Sequence, residues 1–171
     1  SFSFADYRDK LIAHAPLNRE HIVAINQAEA EFWKRSEGYA LGPSDTRLQF
    51  ECGGQQWVSE VCFPAGTAGT PDLRDIHYTK ELLDMIAAEN VAAPSPIEQR
   101  WTARSRAPLS PAHSAGGDDL HCWVGIIMYL PEAEEDLALR PQITAAFKSY
   151  KELCREGLVM RQYESRPSRL S

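Results

Sequence analysis

The sequence predicts an α+β domain, in which a mainly antiparallel sheet carries helices packed on one face. The chain has 171 residues and 43% hydrophobic residues, which is enough for one domain with a sizeable core. Segments with helical spacing and segments with strand alternation interleave along the chain. They lack the regular strand–helix–strand order that a parallel sheet requires, so antiparallel pairing is expected.

Two helices are predicted in the N-terminal part of the chain. The first covers Ala5 to His14 and is interrupted by Pro16. Asn18 can cap the second, which runs from Arg19 to Glu37 with Gly38 as its stop. Its inward face is predicted to carry Ile22, Ile25, Ala28 and Phe32.

The middle of the chain is predicted to form two strands and a helix. Leu48 to Glu51 and Trp57 to Phe63 alternate like strands, with a bulge or turn at Gly53-Gly54 between them. A loop over Pro64 to Pro71 leads into an amphipathic helix from Asp72 to Glu89. The residues expected to face inward on this helix are Leu73, Ile76, Leu83 and Ile86.

The C-terminal part continues with strand, loop, strand and helix. A loop over Ala107 to Asp119 is followed by Cys122 to Leu130, which is apolar on both faces and therefore predicted to be a central strand covered on both sides. A helix over Pro141 to Arg155 follows. The domain is expected to end at residue 160, with an irregular tail over 161–171. The inward face of the last helix is predicted to carry Ile143, Phe147, Tyr150 and Cys154.

Composition excludes several classes of function. A net charge of −6 argues against nucleic acid as a partner. The longest apolar run, Trp123 to Leu130, is far shorter than the roughly 20 residues of a membrane-spanning helix, so no transmembrane segment is expected. The four cysteines lack metal-ligand spacing and are interpreted as reduced thiols packed in the core, and no metal site is expected. The acidic run from Glu132 to Asp136 is either a solvated approach to a helix or a docking patch.

The segment Pro96-Ile97-Glu98-Gln99-Arg100-Trp101 holds the candidate chemistry. In an extended strand, Glu98 and Arg100 point to the same side, about 6–7 Å apart along the chain, whereas Trp101 points to the other. Such an acid and base can hold a polar ligand or stabilise an anion. The alternative is the charged face of a half-buried strand.

This segment resembles a signature of the L-galactono-1,4-lactone dehydrogenases, which are flavin-dependent aldonolactone oxidoreductases. Further similar segments follow the order of that family and together span Phe4 to Tyr150. They are Asn26–Trp33, Ser36–Tyr39, Cys52–Glu60, Cys62–Pro64 and Trp123–Pro131.

The resemblance implies a fold like the cap domain of vanillyl-alcohol-oxidase-type flavoproteins. It also implies that Glu98 orients the lactone and that Arg100 binds the flavin and stabilises negative charge on its reduced ring. The family's FAD-binding domain has no counterpart in the sequence. FAD is therefore expected only if a partner chain supplies it, and none is expected on this chain alone.

The C-terminus departs from the family pattern, which continues after a Tyr-Glu pair with a His-Trp-x-Lys element. Here Tyr163-Glu164 is followed by Ser165 to Ser171.

The sequence leaves two hypotheses for the function. The chain is the substrate or cap portion of a mitochondrial ascorbate-forming dehydrogenase, not autonomously catalytic, with a FAD-domain polypeptide as its partner. Alternatively, it is a non-catalytic accessory or assembly subunit of respiratory complex I. Both place it in mitochondria, peripheral to the inner membrane.

Overall fold

A computed structural model describes residues 4–39, 41–44, 55–94 and 96–164 of the chain. Four α-helices, a 3₁₀ helix and three strands follow one another in this part. Their bounds are α1 Phe4–His14, α2 Arg19–Arg35, β1 Gln55–Thr67, α3 Arg74–Ala88, β2 Glu98–Ala103, β3 Asp119–Leu130, the 3₁₀ helix Glu134–Leu139 and α4 Arg140–Glu164.

The three strands form one antiparallel sheet in the order β1-β3-β2, which confirms the predicted class. Strand β3 is central because it is the most apolar of the three, and both its neighbours hydrogen-bond to it. Pro64 lies in β1, an edge strand, where a missing ladder donor is tolerated. The predicted strand over Leu48 to Glu51 and the predicted turn at Gly53-Gly54 lie outside the described residues.

One face of the sheet packs against α3 and α4. Alternate residues of β3, from Cys122 to Met128, form the sheet side of this core. Tyr78 and Leu82 contribute from α3, and the hydroxyl of Tyr78 donates to the carbonyl of Cys154 at 2.9 Å. The predicted inward face of α4 is confirmed, since Ile143, Phe147, Tyr150 and Cys154 are all buried.

The opposite face is covered in part by α1 and α2. Ile127 and Tyr129 of β3 pack there against residues of both helices, including Ile12 and Ile22. The prediction that helices lie on one face only is therefore wrong, because β3 is apolar on both faces and each must be removed from water. The interpretation of β3 as a strand covered on both sides is confirmed where Ile127 and Tyr129 pack against α1 and α2, and not along its whole length.

The first two helices follow the sequence closely, with two corrections, both in α2. The side chain of Asn18 accepts from the amide of His21 at 3.0 Å, as its capping role predicts. Helix α2 ends at Arg35 with Ser36 as its C-cap, before the predicted stop at Gly38. Ala28 and Phe32 are exposed because the buried stripe of α2 instead continues from Ile22 and Ile25 to Glu29, which pairs with Arg8 of α1 at 3.5 Å.

The predicted inward face of α3 is also wrong for three of its four residues. Leu73, Ile76 and Leu83 are more than half exposed, and only Ile86 packs against the core. Helix α3 is rotated so that Asp75 and Tyr78 face inward. The carboxylate of Asp75 accepts from the indole of Trp101 on β2 at 2.9 Å.

Helix α4 is longer than predicted. It continues past Arg155 to Glu164, so residues 161–164 of the predicted irregular tail are helical. Residues 165–171 lie outside the described part. Within that part, no helix is both long and apolar enough to cross a membrane.

The two adjacent leucines of α3 provide a direct test of its orientation. Leu82 is fully buried and Leu83 is 53% exposed. We expect Leu82→Ala to lower the free energy of unfolding by about 2–5 kcal/mol, because it leaves a cavity in the core. The matched change Leu83→Ala should alter it by about 0.5 kcal/mol or less. Urea unfolding of both variants measures the difference, and equal losses would contradict the described rotation of α3.

Candidate functional site

The sheet register places Glu98, Arg100 and Thr102 on one face, as the alternation predicts. Glu98 is opposite Gly125 of β3, and Arg100 is opposite Trp123. Trp101 points to the other face, where its bond to Asp75 ties β2 to α3. Gln99 also lies on that face and donates to the sulfur of Cys122 at 3.6 Å. The signature segment therefore has one anchored side and one side available to a ligand.

We call the available side the open face, and it is formed by Glu60, Glu98, Arg100, Thr102, Trp123 and Gly125. At one end it is bounded by the α1–α2 core over Ile127 and Tyr129. At the other end, Arg104 donates to the carbonyl of Ser114 at 3.2 Å and holds the loop before β3. Between these limits the described residues place no helix over the sheet.

Arg100 does not pair with Glu98, its neighbour on the same strand. Its Nη2 atom lies 2.6 and 2.8 Å from the two carboxylate oxygens of Glu60 on β1. The guanidinium also lies over the indole of Trp123, 5.4 Å from the ring centroid. The Arg100 side chain remains 64% exposed. Among the described residues only Nη2 is engaged, so the rest of the guanidinium can meet a ligand.

Glu98 lies over the one position of the open face that has no side chain. A Cβ atom on Gly125 would be 3.4 Å from the Glu98 carboxylate and 3.6 Å from its Cβ. Glu98 is half-buried, and its side chain makes no hydrogen bond or ion pair within the described part of the chain. Its carboxylate is therefore an acceptor available to hydroxyl groups of a ligand.

Trp123 is fixed in place by Thr102. The indole nitrogen of Trp123 donates to the Thr102 hydroxyl at 2.9 Å, a bond between neighbouring strands on the open face. His121 follows in the same alternation and is 2% exposed, and its Nδ1 has no partner among the described residues. Neither His121 nor His113 belongs to a group of three or more potential metal ligands in the described part.

Sequence reasoning identified Glu98 and Arg100 but missed Glu60, Trp123 and Gly125. The missed residues lie on two other strands, more than 20 residues away in the chain. Strand alternation could have indicated them, since it places Glu60 and Trp123 on strand faces that also carry polar residues. The pairing of strands, which selects the residues that meet, cannot be read from alternation alone.

The acidic run after β3 contributes to a groove at another edge of the molecule. Glu132, Glu135 and Asp136 line it together with Asp6 and Asp9 of α1, around a volume of about 520 Å³. Burial raises the pKa of Asp9, and Arg8 partly offsets that rise. The groove lies beyond Tyr129 and is separate from the open face.

Comparisons with known proteins confirm the family resemblance. Residues 19–167 match the family described as D-arabinono-1,4-lactone oxidase. The chain is 56% identical over 149 residues to L-galactono-1,4-lactone dehydrogenase 2, mitochondrial, of Oryza sativa subsp. japonica, covering 87% of this chain and 25% of that protein. It is also 56% identical over 156 residues to L-galactono-1,4-lactone dehydrogenase, mitochondrial, of Arabidopsis thaliana, covering 91% of this chain and 25% of that protein. The chain thus spans about a quarter of the length of these relatives.

The alkylation rate of the Cys62 thiol tests the electrostatic environment beside the open face. Burial, reinforced by the charge of Glu60, raises the pKa of Cys62 from 9.0 to about 11. Because the thiolate is the reactive form and each pKa unit is a factor of ten, alkylation at pH 8 should be about 100-fold slower than in the unfolded chain. Mass spectrometry of iodoacetamide-treated protein, with and without denaturant, resolves Cys62 from the other thiols. Equal rates in both conditions would contradict this environment.

Proposed function

The chain belongs to the D-arabinono-1,4-lactone oxidase family, and from that premise we propose that its open face is the lactone-facing half of an aldonolactone-oxidising flavoprotein site. The observation that carries the proposal is the arrangement of Glu98 and Arg100. An unpaired carboxylate and a largely exposed guanidinium share one face, and a different carboxylate, Glu60, balances the charge of Arg100. This leaves Glu98 able to accept hydrogen bonds.

The substrate class follows from the relatives and from the chemistry of the face. The relatives in rice and Arabidopsis are named L-galactono-1,4-lactone dehydrogenases. A sugar lactone carries several hydroxyl groups, which donate hydrogen bonds that the free Glu98 carboxylate can accept. We therefore propose L-galactono-1,4-lactone or a close aldonolactone as the substrate, and ascorbate formation as the reaction served.

The residues of the open face fit the ring end of a flavin. Gly125 contributes no side chain, so the Glu98 carboxylate lies close to the sheet there, and the Arg100 guanidinium lies over the indole of Trp123 beside it. The unengaged nitrogens of Arg100 are donors suited to a ring that gains negative charge. When bound, the flavin supplies a two-electron acceptor for hydride from the lactone. Arg100 would stabilise the developing negative charge, and Glu98 would hold the lactone hydroxyls in position.

The remainder of FAD requires other groups. The Gly53-Gly54 and Gly116-Gly117 pairs fit neither the dinucleotide fingerprint nor the P-loop pattern. We propose that the pyrophosphate and adenosine are held by polypeptide outside the 171 residues, so this chain alone does not catalyse the reaction. The α+β sheet would then act as the cap of a vanillyl-alcohol-oxidase-type flavoprotein, closing over a flavin bound elsewhere.

The proposed location is the mitochondrion, because the relatives are named mitochondrial. We propose that the chain is peripheral to the inner membrane there, bound to other protein chains.

A second candidate function is that of a non-catalytic accessory or assembly subunit of respiratory complex I. The observation that favours a binding role is a set of exposed apolar side chains, Leu73 just before α3 and Ile76 and Leu83 within it. Exposed apolar side chains of this size can be buried against another protein. A flavin domain could cover these side chains equally well. We prefer the catalytic role because it also accounts for the unpaired Glu98 carboxylate beside Arg100.

Lactone-dependent flavin reduction tests the catalytic proposal. The native assembly that contains this chain should show a visible flavin absorbance band that bleaches anaerobically on addition of L-galactono-1,4-lactone. Arg100→Ala should lower kcat by about 10²–10³-fold, the loss typical of removing one donor to a developing anion. Glu98→Ala should raise KM and lower kcat together, because it removes contacts to the substrate.

Glu152→Ala is the matched control, since it removes an exposed carboxylate that also pairs with an arginine, Arg155, at 3.4 Å. It should leave both constants unchanged. An assembly without flavin, or one in which Glu98→Ala retains full turnover, would refute the catalytic proposal and favour the accessory role.

A further inference from the structure

We propose that Glu60 is a positioning residue that keeps Arg100 away from Glu98, so that both groups remain available to ligands. The inference rests on the proposed function of the open face, and it assigns a role to a residue of β1 outside the signature segment. Its basis is the pair of short contacts, 2.6 and 2.8 Å, between Nη2 of Arg100 and the two carboxylate oxygens of Glu60.

Arg100 needs such a partner because of the spacing within β2. Glu98 and Arg100 are two residues apart on one strand, which puts their backbones about 6.6 Å apart with both side chains on the same face. Two side chains of this length can readily meet. An Arg100–Glu98 ion pair would occupy the carboxylate that is to accept lactone hydroxyls and the cation that is to face the flavin.

Glu60 reaches Arg100 across the whole sheet. Strands β1 and β2 are both edges, with β3 between them, so their backbones are separated by about 9.6 Å, two strand spacings. Glu60 is opposite Gly125, and Gly125 is opposite Glu98. The absence of a side chain at Gly125 leaves room for the Glu98 carboxylate. The long side chain of Glu60 reaches diagonally past that position to Arg100, which is opposite Trp123. An aspartate at position 60 would be one methylene too short.

The indole of Trp123 also stabilises this position of Arg100, because the guanidinium lies over its ring. The guanidinium lies 5.4 Å from the centroid of its ring, and the indole is itself held by Thr102 at 2.9 Å. A cation over an indole face is attracted by the ring quadrupole. The two interactions act in different directions, since the ion pair with Glu60 orients the Arg100 guanidinium toward β1 and the contact with Trp123 keeps it above β3. Together they hold the guanidinium away from its own strand neighbour.

A double-mutant cycle on turnover tests whether Glu60 acts through Arg100. In the native flavoprotein assembly, Glu60→Ala should lower kcat about 10-fold or more, part of the 10²–10³-fold loss expected for removing Arg100 itself. In the Arg100→Ala background it should cause no further loss. Glu60→Gln, which keeps the length and one accepting oxygen, should restore more activity than Glu60→Asp. Glu152→Ala is the control for loss of an exposed carboxylate.

A purely structural role for Glu60 would give equal losses in both backgrounds, and a role for its charge alone would make Glu60→Asp the better replacement. Either result would overturn the inference. A crystal structure of the native assembly that carries Glu60→Gln or Glu60→Ala provides a readout that does not depend on turnover. In Glu60→Ala, the Arg100 guanidinium should lie within about 4 Å of the Glu98 carboxylate.

The two readouts separate the inference from the proposed function. If the assembly does not oxidise lactone but Arg100 moves to Glu98 in the variant, the proposed function fails and the positioning role of Glu60 stands. If Arg100 stays over Trp123 in Glu60→Ala, the positioning role fails whatever the activity of the assembly.

Discussion

The register of β3 between its two neighbours is the constraint on which the rest of the structure depends. Because side chains alternate along a strand, a shift of the β2–β3 pairing by one residue would place Glu98 and Arg100 on the face that packs against α3 and α4. Burial prevents such a slip, since it would also expose the residues from Cys122 to Met128 that now form that core. The polar face is thus held in place by the apolar one.

The two faces of the sheet differ in function: one forms the larger core and the other presents charged side chains. The face under α3 and α4 contains the larger core and the polar anchors of Asp75 and Tyr78. Among the described residues, helices cover the other face over Ile127 and Tyr129, and the exposed part of that face carries the charged side chains of Glu60 and Arg100. The Arg100–Glu60 pair there is worth only about 0–1 kcal/mol in stability, because Arg100 is largely exposed. We therefore expect the pair to affect ligand binding more than the stability of the fold.

The sequence predicted those parts of the fold that depend on local pattern. The cap at Asn18, the buried face of α4 and the same-side arrangement of Glu98 and Arg100 follow from capping and periodicity. The orientation of α3 did not follow, because Asp75 is polar yet buried by its bond to Trp101, a contact between distant segments. Glu60 was missed for a related reason. Its meeting with Arg100 depends on strand order, which alternation does not specify.

A crystal structure of the native assembly with L-galactono-1,4-lactone bound tests most directly whether the open face binds the lactone. We expect a lactone hydroxyl about 2.6–3.2 Å from the Glu98 carboxylate, over Gly125, with Arg100 still held by Glu60 and facing the flavin ring. Lactone bound elsewhere, with the open face packed against another protein, would contradict it.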